Sequence, residues 1–139
     1  MWGVLLALIA SVCWGLAPVA AKKALIDVSP VVGMAVRSIF AACLVSVWML
    51  MTGRYRDLAE TGTRALGWLI IEALLATVVG DALYFYALRN GQAGQVNLIM
   101  SAAPLFTLIT AAVVLGEPVT PGKVFGAAMV IVGLLFILR

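Results

Sequence analysis

The chain has 139 residues, 65% of them hydrophobic and 11% charged, with a net charge of +3 and a mean hydropathy of +1.17. A soluble domain is nearer half apolar and carries about 25% charged residues, so a water-exposed globular fold does not fit. There is no histidine, no metal-ligand cluster and no glycine-rich phosphate loop. The basic residues are scattered rather than patched, which argues against a nucleic-acid partner.

Five apolar runs fill most of the chain. They lie near Trp2–Leu25, Pro30–Thr52, Leu66–Leu88, Ala93–Leu115 and Pro121–Leu138. Each approaches the roughly 20 residues that cross a bilayer, and in lipid such runs must be helices, because the backbone has no other hydrogen-bond partners. The first run reads as a span and not as a cleaved signal. No Lys or Arg precedes it within Met1–Ala10, whereas a signal peptide needs a basic start and a short apolar core. Cys13 and Cys43 fall inside spans and read as small buried hydrophobes, silent on redox compartment. Span one ends at Lys22, Lys23 and Asp27. A polar link, Gly53–Arg64, joins spans two and three. Arg89-Asn90-Gly91 stops span three. Gly116 ends span four, and Thr120-Pro121 restarts the chain with an N-cap and an N1 proline.

Five spans place the termini on opposite faces. One face then carries Arg54, Arg56, Arg64 and Lys123, and the other carries Lys22, Lys23, Arg89 and Arg139. Four against four leaves almost none of the basic asymmetry that fixes orientation. Two readings follow: a fixed orientation with the N-terminus in the cytoplasm, or insertion both ways and pairing with an inverted copy.

Three ionisable residues sit inside the spans, where such groups are paired or functional. Arg37 is seven residues inside Pro30, and Asp81 is seven residues before Leu88. Both therefore lie roughly 10 Å from the same membrane face at 1.5 Å per residue. A buried Arg37–Asp81 ion pair is expected, as a structural element in preference to a direct substrate contact. Glu72 lies nine residues before Asp81, about 180° away on an unbroken helix, and has no intramembrane cation at its depth. Desolvation of a lone carboxylate favours its protonated form, which makes Glu72 a candidate carrier of a coupling proton. The alternative is a glutamate reaching Arg64 or water. No other cofactor is expected.

Polar stripes mark a possible pathway. Ser11, Trp14, Gly15, Pro18 and Lys22 share one face of span one, and Pro18 with Gly15 would bend that helix. Asn97, Ser101 and Pro104 share a face of span four, with Thr107 alongside. Either stripe also reads as ordinary polar glue between helices. Gly122, Gly126 and Gly133 put small residues along span five, as close helix packing in lipid requires, although glycine is common in membrane helices anyway.

An ordered set of short motifs runs the length of the chain. Trp14-Gly15 is followed by Pro18, and Ser29-Pro30 opens span two ahead of Arg37-Ser38. Tyr84-Phe85-Tyr86-Ala87-Leu88-Arg89 closes span three. Ala102-Ala103-Pro104-Leu105-Phe106 lies in mid span four, Leu115-Gly116-Glu117 ends it, and Gly126-Ala127 with Gly133 marks span five. Together they resemble the EamA-type repeat of the drug/metabolite transporter superfamily. The resemblance implies that residues 1–139 form a single five-helix membrane domain, all-α, equivalent to one repeat of an inverted-repeat transporter. Larger members carry two such repeats in opposite orientations; this chain has one. It also implies a pathway lined by the first, third and fourth helices, which adds Tyr86, on the same side of span three as Glu72, to Ser11, Trp14, Pro18, Glu72, Asn97, Ser101 and Pro104. Span five becomes the dimer-packing helix.

The expected function is secondary transport of a small metabolite or drug-like solute across the plasma membrane. An antiparallel homodimer would work by alternating access around a midplane site, with lipid around it. A flippase subunit for a lipid-linked substrate is the alternative, and a non-transporting subunit that stabilises a partner is another. An enzyme is not expected, since no carboxylate pair shares a face and no serine sits near a base.

Overall fold

In a medium without water, the backbone closes its own hydrogen bonds, and the described residues fold accordingly into helices. The computed structural model describes residues 2–138. Its elements are α1 (Trp2–Ala24), α2 (Pro30–Met51), α3 (Tyr55–Ala59), α4 (Thr63–Ala73), a π-helical segment Leu74–Gly80, α5 (Asp81–Asn90), α6 (Ala93–Met100), α7 (Ala103–Thr110), a second π-helical segment Ala111–Leu115 and α8 (Pro121–Ile137). Arg139, counted in the charge balance above, lies outside the described residues.

Among the described residues, four helical stretches are long and apolar enough to cross a membrane: Trp2–Ala24, Pro30–Met51, Thr63–Asn90 and Ala93–Leu115. The apolar helix Pro121–Ile137 has 17 residues, about 25 Å at 1.5 Å each and at the lower limit for a span. The helical membrane class is as expected, and the five expected spans differ from one another in two respects. The last stretch is short, and the third and fourth stretches are composite. The third passes from α4 through seven π-helical residues to α5. The fourth breaks at Ser101–Ala102, where Ser101 and Ala102 donate to Leu98 O and Ile99 O in tight i→i−3 turns. Pro104 is the cause: it has no N–H and its ring crowds the carbonyl four residues back.

The helix ends follow their sequences. Ser29 and Thr120 accept from Val32 N and Lys123 N, both at 3.4 Å, with Pro30 and Pro121 at the first helical position. Asn90 Nδ2 donates to Tyr86 O at 2.9 Å and closes α5. Gly116 takes φ +68° beyond the second π segment, a left-handed conformation that glycine adopts without steric cost. The link Gly53–Arg64 is not wholly irregular, because α3 forms within it. Gly53 at φ +71° turns the chain out of α2, and Arg54 Nε pairs with Asp57 at 2.9 Å.

The chain divides into two compact units, Met1–Pro18 with Gly91–Arg139, and Val19–Asn90. Within the first unit α6 packs on α8. Within the second, α2 packs on α5 around the apolar side chains that are buried: Leu25 (3% exposed), Phe85 (4%) and Leu88 (0%). Most other large apolar side chains are exposed, on all sides of their helices. That is the distribution expected where the surrounding solvent is itself apolar.

Candidate functional site

The second unit holds the most completely built group of side chains. Asp81 opens α5 and Arg37 lies one third of the way along α2, and the two form an ion pair. The Arg37 guanidinium also stands 5.3 Å above the centre of the Phe85 ring, a cation–π geometry. The ring comes this close because Gly33 has no side chain. A Cβ there would lie 3.2 Å from Phe85 Cε1 and 3.3 Å from Leu25 Cδ2. At the membrane-face end of the cluster, Lys22 Nζ donates to Leu88 O at 2.6 Å and Arg89 O at 2.9 Å. Arg89 in turn donates to Val28 O at 3.3 Å. A lysine at the end of α5 satisfies carbonyls that have no partner in the helix and complements the negative end of its dipole.

Pairing is present, but burial is unequal. The Asp81 side chain is 19% exposed and that of Arg37 48%. On the single chain α5 covers one side of the Arg37 guanidinium, and the other side is open.

The π-helical segment changes the geometry of span three. Asp81 N–H donates to Ala76 O, five residues back, where an α-helix would use the fourth. The wider turn sets the helical phase back by roughly one residue, about 100°. Glu72 and Asp81 therefore do not point about 180° apart, and the side shared by Glu72 and Tyr86 on an unbroken α-helix is lost. Glu72 is exposed, near the end of α4.

The remaining pathway residues are placed as follows. Ser11 Oγ donates to Leu8 O at 2.7 Å and Ser101 Oγ to Leu98 O, so both hydroxyls are turned back onto their own helices. Trp14 is 77% exposed, and Ser101, Pro104 and Tyr86 are also exposed. Asn97 is partly covered, and Pro18 is buried inside α1. Gly122, Gly126 and Gly133 have no neighbouring atom within 4 Å of where a Cβ would stand. Cys13 and Cys43 are free and exposed on the single chain, within helices of spanning length.

Sequence reasoning passed over Gly33, Phe85 and Lys22 as members of the Arg37–Asp81 cluster, and Gly80 as the end of the π segment. A signal existed for two of them. Gly33 is one helical turn before Arg37, and Phe85 is one turn after Asp81, the i, i+4 spacing that stacks side chains on one face.

These features define an all-helical protein of the membrane interior, with apolar helices of spanning length and a charge pair between two of them. The chain matches the EamA-like transporter family over residues 1–139 and belongs to that family. By class it is a membrane transporter of small solutes, in a family of transporters rather than enzymes. No curated protein and no solved structure matches it.

Proposed function

We propose that the chain is one repeat of a secondary transporter, pairs with an inverted copy of itself in the plasma membrane, and moves a small metabolite by alternating access. The observation that carries this reading is the exposure of the polar side chains Glu72 and Ser101 on the single chain. A solute pathway needs walls on all sides, and polar side chains facing lipid are costly. A second repeat would wall them in. The open glycine side of α8 supplies a surface for close helix approach, and the balanced basic residues permit both insertions. In this reading Pro121–Leu138 is the fifth span, and Glu72 takes up and releases the coupling proton.

Two experiments test it. Cysteine substitution at Tyr55 and at Leu138 reports insertion: labelling of each site from both sides of the membrane is the expected result, and labelling from one side only overturns dual topology. Purified chain in proteoliposomes, assayed against a metabolite panel under a pH gradient, reports transport. Glu72→Gln keeps size and removes the charge change, so it should abolish gradient-driven uptake and leave folding intact. Unchanged pH dependence in that variant assigns Glu72 a structural role.

A further inference from the structure

Span three is built of two unlike halves joined by the π-helical segment Leu74–Gly80. The α5 half is fixed at several points. Asp81 is paired with Arg37, Phe85 and Leu88 are buried, and Lys22 holds the carbonyls of Leu88 and Arg89. The α4 half, which carries Glu72, has no buried residue. The joint between them lies in the middle of the 28-residue stretch Thr63–Asn90, at the depth of the bilayer centre.

Gly80 is what allows the wide ladder. A Cβ on it would stand 2.9 Å from Leu75 O, and no side chain comes within 4 Å of that position. Residues 75 and 80 are five apart, the spacing of the π ladder. In an α-helical ladder Leu75 O turns to the N–H of Val79 instead, and a Cβ at position 80 then takes its ordinary place on the helix surface. The crowding is therefore specific to the π register. An alanine at this position penalises one ladder and favours the other, since alanine is also the better α-helix former.

We infer that Leu74–Gly80 is the moving part of the chain. A change of register between π and α ladders turns α4 about its axis by roughly 100° while α5 stays fixed to α2. Glu72 travels with α4, so one step of the ladder carries its carboxylate from one side of span three to another without breaking the Arg37–Asp81 pair. No helix end has to cross the membrane, and each backbone N–H exchanges one carbonyl for the next, which suits a medium that offers no substitute partner. The consequence for transport rests on the function proposed above; the register change itself does not.

The test uses the full chain in lipid bilayers. Solid-state NMR with a carbonyl label on Leu75 and amide nitrogen labels on Val79 and Gly80 reads which N–H the carbonyl accepts. The expected result is the 75–80 bond in the native chain and the 75–79 bond in Gly80→Ala. In a background with Cys13 and Cys43 replaced by alanine, Glu72→Cys is labelled with a membrane-impermeant maleimide. Adding Gly80→Ala should change its labelling rate by at least about fivefold, the factor that accompanies roughly 1 kcal/mol, while labelling at Leu83→Cys on the fixed half stays constant. A 75–79 bond in the native chain, a retained 75–80 bond in the variant, or equal labelling at position 72 with and without Gly80→Ala would each overturn the proposal. A register that changes as expected in a chain that moves no member of the metabolite panel overturns the transport reading alone.

Discussion

Gly33 and Gly126 lie on apolar helices of similar composition, yet their surroundings differ completely. At Gly33 a Cβ would touch Phe85 and Leu25, and at Gly126 it would meet nothing within 4 Å. One glycine is consumed by packing inside the chain. The other belongs to a face that the chain itself does not use. Around Gly33 the close approach of α2 and α5 pays three returns: it buries Phe85, sets the ring beneath Arg37 and aligns Arg37 with Asp81. Around Gly126 the same residue type has no structural consequence until another helix arrives. A small-residue position in a membrane helix thus marks capacity for close approach, and only the neighbours decide whether that capacity is used.

The sharpest way to break the contrast is to remove a charge from the built side. Arg37→Ala leaves the Asp81 carboxylate without a counter-charge in lipid. It should cost about 3 kcal/mol, the low end of the range for buried pairs, because Arg37 is half exposed. Thermal unfolding in detergent or lipid nanodiscs measures this, and the double variant Arg37→Met, Asp81→Leu should recover part of the loss. Equal damage in single and double variants would show that the pair is uncoupled from stability.

A milder test compares the two glycines directly. Gly33→Leu forces Phe85 and Leu25 aside and should cost about 2 kcal/mol, as overpacking of a filled site does. Gly126→Leu should leave the stability of the detergent-solubilised monomer within about 0.5 kcal/mol and lower the fraction of cross-linked dimer instead. A large loss of monomer stability at position 126 would mean that the α8 face is occupied within the chain.

The smallest expected effect is at the end of the cluster. Lys22→Met keeps the aliphatic stem and removes the two hydrogen bonds to the last carbonyls of α5. A loss of about 1 kcal/mol is expected, with faster amide exchange confined to the last turn of α5. Uniform acceleration along the whole of Thr63–Asn90 would show that Lys22 supports more than that helix end.

How much of this was legible beforehand depends on the distance over which each feature is decided. Span positions and the caps at Ser29 and Thr120 depend on residues within one or two turns, and the string of amino acids displays them. The pairing of Arg37 with Asp81 was legible because the bilayer acts as a ruler: both lie seven residues from span ends on one face. The role of Lys22 was not, since it caps a helix 66 residues away in the chain. The π-helical segments escaped too. The seven residues Leu74–Gly80 are ordinary membrane-helix residues, with no local pattern that separates a π ladder from an α ladder.

The sequence by itself determined the solvent, the helical class, the approximate ends of each apolar stretch and the membership implied by its ordered motifs. All of these rest on hydrophobicity and local backbone satisfaction, which act residue by residue. The tertiary structure alone decided which glycine is filled and which is open, how Arg37 is shared between Asp81 and Phe85, and the phase that separates Glu72 from Asp81. Each of those depends on the distance between groups remote in the chain or on which hydrogen-bond ladder the backbone takes, and composition and periodicity carry no record of either.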